Sequence, residues 1–311
     1  MQRIVLIGSA SRSGSTLLDL MLGQLPGWHS GGELKRVWTK GVVSNYACSC
    51  GLPFHDCPFW TRVGDEAFGG WARVDAEQEI DLRRKLDRHR YLPFLIAPRG
   101  RYARLLSRLI DEFLAPLYQA VRTVSRCTVL VDSSKDPPYL YLLRHLPASD
   151  LRLVQIVRDP RGVAHSLQRR VLQPDAPGRY MPRASSTRAA LHWTDYNMLL
   201  HGLERFGLPR LLVRYEDLAG GPGETISRIS AFAGVDGSSP PIAGEGAVEL
   251  RDHHVVGGNP MRFKRGRIQV REDDAWKHEM PRRDRALTAA LTLPLLVHYG
   301  YGVSASRSRG R

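Results

Sequence analysis

Arg3-Ile4-Val5-Leu6-Ile7-Gly8-Ser9-Ala10-Ser11-Arg12-Ser13-Gly14-Ser15-Thr16 stands at the head of the sequence: an apolar run, a small-residue loop and a helix start. Ile4–Ile7 is short, branched and unbroken by polar residues, so it reads as a strand buried on both faces. A helix is expected over Thr16–Leu25. A loop between such a strand and such a helix lets successive backbone N–H groups, with the helix N-terminus, cradle a phosphate. Its small residues let the backbone approach the anion, and Ser15 and Thr16 add hydroxyls at the helix mouth. The nucleotide-triphosphatase loop is G-x-x-x-x-G-K-[ST]. Here five residues separate Gly8 from Gly14, and Ser15 stands in the lysine position. Arg12 supplies the cation instead, two residues before the glycine, so a Mg²⁺-assisted clamp on a triphosphate is not predicted.

The same order of parts returns in Leu153-Val154-Gln155-Ile156-Val157-Arg158-Asp159-Pro160-Arg161, which leads through Gly162–His165 to Ser166. Arg158 closes the strand, at the end where an α/β sheet binds ligands. Pro160 suits the first turn of a helix. Ser166 follows eight residues after Arg158, and Arg170 comes one helical turn later. Arginine and serine together offer a phosphate charge-assisted and neutral hydrogen bonds. A structural ion pair within the R-D-P-R turn is the competing reading.

Val129–Val131 and Leu211–Val213 are further strand candidates. Helices are expected over Pro137–Leu146, Arg161–Val171, Thr187–Phe206, Glu224–Ala233 and Asp284–His298. Strands alternating with helices predict an α/β fold, here a P-loop-type three-layer αβα sandwich around a mostly parallel sheet. Three segments interrupt the pattern, near residues 47–60, 83–108 and 173–186, and are candidate acceptor-site elements. The reading is one domain over residues 1–303 with a disordered basic tail at 304–311.

Composition narrows the function. The 311 residues carry 45 Lys+Arg against 31 Asp+Glu, a net charge of +14, which suits a polyanionic ligand. Four cysteines are too few for a disulfide scaffold and fit a reducing compartment. No apolar run spans a bilayer and no signal peptide is evident, so a cytoplasmic protein is expected.

At two places the sequence resembles sulfotransferases that use 3′-phosphoadenosine 5′-phosphosulfate (PAPS). Ser11-Arg12-Ser13-Gly14-Ser15-Thr16 is similar to their 5′-phosphosulfate loop, and Arg158 with Ser166 to their 3′-phosphate motif, Arg170 adding a further cation. The chain is identified as a bacterial-type member, nearest the tyrosylprotein sulfotransferase-like branch: the cytosolic enzymes place Lys in the first loop, where Arg12 stands here. Gly31-Gly32-Glu33-Leu34-Lys35 resembles that branch's G-E-E-T-R segment, which implies Glu33 as the catalytic base and aligns Lys35 with its arginine. His29 and His165 are rival bases. Lys135, in Asp132-Ser133-Ser134-Lys135-Asp136-Pro137, resembles the lysine of an N-K-D-P segment that stabilises transition-state charge. Tyr215, in Tyr215-Glu216-Asp217-Leu218, resembles a Y-E-D-L tyrosine that reaches the cofactor. The basic loop Gly257–Gly266 resembles one that closes over the nucleotide, making Arg262, Lys264 and Arg265 candidate 3′-phosphate contacts. The resemblance implies a hydroxyl acceptor (small molecule, lipid or glycan) and PAPS as co-substrate; with a leaving group already stable as an anion and no Mg²⁺-binding pattern in the sequence, no metal is expected.

Two other functions are compatible with the sequence. A P-loop kinase using ATP–Mg²⁺ would employ Asp132 as a metal-binding carboxylate, although the P-loop lysine is missing. A basic nucleic-acid-binding protein would fit the charge, but no recognition-helix or RNA-platform motif is present. Cys48, Cys50, His55 and Cys57 have a metal-like composition, yet their spacings are tighter than common zinc pairs; buried thiols or a local disulfide are the expected state.

Overall fold

A computed structural model describes residues 2–173, 178, 180–235, 242, 244 and 246–302. The basic tail at 304–311 and part of the 173–186 excursion lie outside the described residues. The first half runs β1 (Gln2–Gly8), α1 (Ser15–Leu22), β2 (Trp28–Ser30), α2 (Pro58–Phe68), α3 (Ala76–Leu86), α4 (Leu92–Ile96), α5 (Gly100–Leu109), α6 (Ala115–Ser125), β3 (Val129–Lys135) and α7 (Pro137–Leu143). The second half runs β4 (Ser149–Val157), α8 (Pro160–Gln168), α9 (Ser186–Arg205), β5 (Arg210–Arg214), α10 (Tyr215–Gly220), α11 (Pro222–Phe232), β6 (Ala247–Leu250), β7 (Gly266–Gln269), α12 (Trp276–Glu279) and α13 (Arg282–His298).

The central sheet has the order β2-β3-β1-β4-β5, every neighbouring pair parallel. Alternation along β1 explains its unbroken apolar run. Ile4 and Leu6 face one core, with Leu130, Leu153 and the helices of residues 58–146. Val5 and Ile7 face the other, with α1, α10 and α11. Both faces are therefore covered, as an all-parallel sheet requires, and the expected αβα architecture is found.

The strand order places the ligand crevice. The chain leaves β1 on one side toward α1, while β4 lies on β1's other side. The two carboxyl ends thus diverge at a topological switch point, where sheets of this kind bind ligands. The loop of residues 9–14 and the turn at Arg158 both empty into that gap.

The differences from expectation have local causes. The helix expected over Arg161–Val171 stops at Gln168, because the returning segment takes its last carbonyls: Ala184 N–H donates to Leu167 O (3.2 Å) and Arg183 Nε to Gln168 O (2.8 Å). Residues 83–108 break at their prolines, Pro93 sitting in the first turn of α4 and Pro98 preceding α5. Strand β2 has only three residues and carries no periodic signal. Among the described residues, no helix is long and apolar enough to cross a membrane.

Candidate active site

The sequence of β1 sets the site's floor. After Gly8 the chain turns through Arg12, at φ 67°, and Gly14, at φ 90°, before α1 begins. A Cβ on Gly14 would lie 2.6 Å from Cδ2 of Tyr215, so only glycine lets this ring pack against the loop. Among the described residues no side chain caps α1, and no acidic residue occupies its first turn, which leaves its N-terminal N–H groups for an anion. The Ser9 hydroxyl lines the cleft and the Ser13 hydroxyl is buried in the loop; neither has a hydrogen-bond partner among the described residues.

Opposite the loop, β3 ends in an irregularity. Leu6 pairs with Asp132 but Gly8 pairs with Lys135, one residue more on β3 than on β1. This bulge, with Lys135 at φ 68°, turns the lysine side chain toward the cleft. Asp132 below it is wholly buried and accepts from Ser134 N–H (2.8 Å), the Ser134 hydroxyl and the Tyr118 hydroxyl. It is a structural acceptor that shapes the bulge.

Glu33 is brought in by the turn after β2. Gly31 N–H donates to Val131 O (2.8 Å), Ser133 N–H to Gly32 O (2.8 Å), and Lys35 N–H to the Ser134 hydroxyl (3.1 Å). These bonds stitch residues 31–35 to the end of β3 and set Glu33 Oε1 2.5 Å from Lys135 Nζ. Burial acts to raise the Glu33 pKa; the charge and hydrogen bond of Lys135, aided by Arg36 and Lys40, outweigh it and hold the carboxyl below its ordinary value. Lys35 pairs with Asp136 and with Asp87 (2.6 Å), and Asp136 also accepts from the Tyr196 hydroxyl at 2.8 Å.

Arg158 is fixed from several sides. Trp193 Nε1 donates to its carbonyl (2.9 Å), and its guanidinium stacks on Tyr215, 4.6 Å from the ring centroid. Its Nη1 donates to Arg12 O (3.2 Å), and its Nη2 bonds Asp273 O (2.6 Å) and lies 3.2 Å from the Asp273 carboxylate. The ion pair weighed for the R-D-P-R turn does form, but between Asp159 and Arg161 at 2.7 Å, so it leaves Arg158 facing the cleft. Glu216 of the Y-E-D-L segment accepts from Asp159 N–H (3.1 Å) and the Tyr301 hydroxyl (2.7 Å), bracing the same turn.

The cleft so formed encloses about 620 Å³, and Arg12, Gly14, Ser15, Thr16, Glu33, Lys135, Arg158, Ser166 and Tyr215 all line it. Among the described residues, seven lysines and arginines line it against three carboxylates, the balance of an anion site. Arg12 has no ion-pair partner among the described residues; burial, then the nearby Arg169, lowers its guanidinium pKa.

Four expected cofactor contacts lie elsewhere. Arg170 falls beyond the end of α8 and stacks on Tyr180, 4.3 Å from the ring centroid. Arg262 is swallowed, 1 % exposed, with Nη1 bonding Gly258 O at 3.2 Å. Arg265 turns outward to Asp252 (2.7 Å) and Ser49 O (2.8 Å), and Lys264 is exposed. From that loop the cleft receives Gly258, Asn259 and Met261 instead.

No histidine is among the described lining residues. His29 stacks on Phe59, half-buried, its pKa lowered to about 4 by desolvation and by His254 and His253; His165 faces Glu279 at 3.4 Å. Of the three insertions, only 173–186 reaches the cleft, through Gln173, Met181 and Pro182. The other two supply none of its described lining residues, and their apolar side chains join the core around Trp38 and Trp60. Sequence reasoning missed Ser9, Arg36, Lys40, Tyr196, Arg271 and Asp273. Arg36 and Lys40 could have been found by helical spacing after Glu33; Arg271 and Asp273 follow β7, where nothing local marks them.

The sequence profile of the sulfotransferase family matches residues 4–239, and the chain belongs to that family. Among solved structures it is similar to a sulfotransferase domain from the curacin biosynthetic pathway, at 18 % identity and TM-score 0.52, over 98 % of this chain and 99 % of that one. A sulfotransferase domain from the Synechococcus PCC 7002 olefin synthase matches at 20 % identity and TM-score 0.49, over 96 % and 95 % of the respective chains. No curated protein sequence matches significantly.

Proposed function

We propose that this sulfotransferase takes its sulfuryl group from PAPS and delivers it to a hydroxyl of a small molecule, lipid or glycan, with Glu33 as the base. One observation carries the reading: Arg12 and Arg158, on the tips of two strands separated by the switch point, line one basic cleft. The loop residues Arg12, Ser13, Gly14, Ser15 and Thr16 would hold the 5′-phosphosulfate, using the uncapped α1 N-terminus and the partnerless serine hydroxyls. Arg158 and Ser166 would hold the 3′-phosphate, which displaces the Asp273 carboxylate from Arg158, and Tyr215 would support the nucleotide between them.

Bound PAPS supplies a sulfuryl group on a phosphate leaving group that is stable as an anion. Glu33, held ionised by Lys135, accepts the acceptor's proton as its oxygen bonds to sulfur, while the bond from sulfur to the 5′-phosphate oxygen breaks. Lys135 and Arg12 stand where charge builds on the equatorial and leaving oxygens. As Lys135 turns to that charge it releases Glu33, which strengthens the base when the proton moves. Met181, Pro182 and Tyr196 form an acceptor-side wall.

Calorimetry with adenosine 3′,5′-bisphosphate, without added metal, tests the donor site. Binding is expected, and Arg158→Ala should weaken it by about 1.5–3 kcal/mol, the worth of a charged hydrogen bond. Stabilisation by ATP–Mg²⁺ and none by the bisphosphate would overturn the reading in favour of a kinase.

A further inference from the structure

Outside the cleft, four ligand-type side chains converge. Cys48 and Cys57 are fully buried, Cys50 is partly buried, and His254 joins them from more than 190 residues away in sequence. Their sulfur and imidazole nitrogen atoms all lie within 4.8 Å of one another. Cys50 Sγ to Cys57 Sγ is 3.7 Å, Cys57 Sγ to His254 Nδ1 is 3.3 Å, and Cys48 Sγ to His254 Nδ1 is 3.8 Å. Zinc bonds of about 2.3 Å to sulfur and about 2.0 Å to nitrogen imply tetrahedral edges of about 3.8 Å between sulfurs and about 3.6 Å between sulfur and nitrogen. The three distances match those edges. All the cysteines are free, and 3.7 Å is far beyond a disulfide bond.

The frame around the four residues is built to hold them. Ser49 N–H donates to Val255 O (3.0 Å), the Ser49 hydroxyl donates to His253 O (2.6 Å), and Val255 N–H returns a bond to that hydroxyl (2.8 Å). Arg265 Nη2 adds a bond to Ser49 O at 2.8 Å. The His254 ring lies flat on Phe59, at 5.2 Å and 8°, which fixes its orientation.

We propose that Cys48, Cys50, Cys57 and His254 form a closed, four-coordinate zinc site that clamps the strap of residues 251–265 to the insertion of residues 47–60. Thiolate-rich tetrahedral sets favour zinc among common biological metals. The C-x-C spacing, too tight for a usual pair, is completed by a histidine that no local motif could reveal. The clamp bears on the cleft without entering it. Val255, beside His254, packs so closely on Gly32 that a Cβ there would sit 2.2 Å from Val255 Cγ1, and Gly32 adjoins Glu33. Gly258, further along the strap, leaves 3.4 Å between the position of a Cβ and Glu33 Oε1. The zinc site stands whether or not PAPS is the donor.

Elemental analysis of the full chain, purified without chelator, should find about one zinc per chain, as expected of a closed structural site. Cys57→Ser and His254→Ala should lose most of it, whereas Cys127→Ser, at the fourth cysteine, should keep it. Should the first two variants fail to fold, cobalt-substituted wild type decides: tetrahedral d–d bands with thiolate charge transfer are expected. Negligible metal with Cys48, Cys50 and Cys57 titrating as ordinary thiols would overturn the proposal, as would a Cys50–Cys57 disulfide found by mass spectrometry.

Discussion

Glu33 sits under opposed influences, desolvation favouring its proton and Lys135 favouring its charge, and the lysine prevails. Removing the charge without the shape should therefore separate chemistry from binding. Glu33→Gln is expected to lower kcat by about 10²–10⁴-fold, the usual worth of a positioned base. Affinity for adenosine 3′,5′-bisphosphate, followed by calorimetry, should stay near wild type; full retained activity would remove Glu33 from the role. Because a depressed pKa leaves the free enzyme's carboxylate ionised above the ordinary value of 4.5, the acid limb of a kcat/KM–pH profile should fall below that pH. Arg12 and Arg158 were legible as cleft residues because each follows a strand end, a position that short-range pattern defines, whereas Glu33 was reached only through the resemblance of residues 31–35 to a family segment. Arg262, Lys264 and Arg265 were not. Which cation of a basic loop turns inward is decided by packing over long sequence distances, and here Arg262 is absorbed as a prop for Gly258 while Arg265 reaches back to Ser49.

Two elements aim the site: the bulge that ends β3 and the turn that opens α1. Gly14 shows how little room the second leaves. Its φ of 90° strains any other residue, and a Cβ would meet Tyr215 at 2.6 Å. Gly14→Ala should destabilise the fold by about 1–3 kcal/mol through backbone strain and overpacking. It should also weaken bisphosphate binding by displacing Tyr215 from Arg158; denaturant unfolding and calorimetry on the same sample check both, and unchanged binding would detach Tyr215 from the nucleotide site. At this scale the four longer strands and the helices after the first three of them were readable, since apolar run and helical period are local signals; the short α10 after β5 was not. Strand β2 was invisible because three residues show no period, although it delivers Glu33. The 83–108 stretch misled differently: as an interruption of the pattern it suggested an acceptor-site element, but Leu86, Leu92, Leu95 and Leu106 bury against the core as a structural layer.

Across the whole molecule, the parallel sheet buries carboxyl groups as well as apolar side chains. Asp19 on α1 is fully buried against β2, accepting from the Ser30 hydroxyl at 2.6 Å, and burial raises its pKa from 3.8 to about 7. The folded state thus holds this proton more tightly than the unfolded chain does. Its contribution to stability is complete below about pH 4 and is lost as pH rises through about 7. Asp19→Asn keeps the Ser30 bond without a charge to bury, so at pH 8 it should melt several degrees above wild type, at about 2–4 °C for each kcal/mol regained. Below about pH 4 the two should converge; melting curves that stay parallel from there to pH 8 would count against the assignment. The sheet order was the part of the architecture least legible in advance, because pairing of distant strands leaves no mark on either strand alone. It also has a consequence for synthesis. Among the described residues, central β1 pairs with β3 and β4 alone, the nearer of which ends at Lys135. At about 5–20 residues per second, a ribosome needs roughly 6–25 s to supply that partner. Throughout that interval the greasy ribbon lacks both of its sheet neighbours, and such a surface on a nascent polypeptide is open to aggregation and to chaperones.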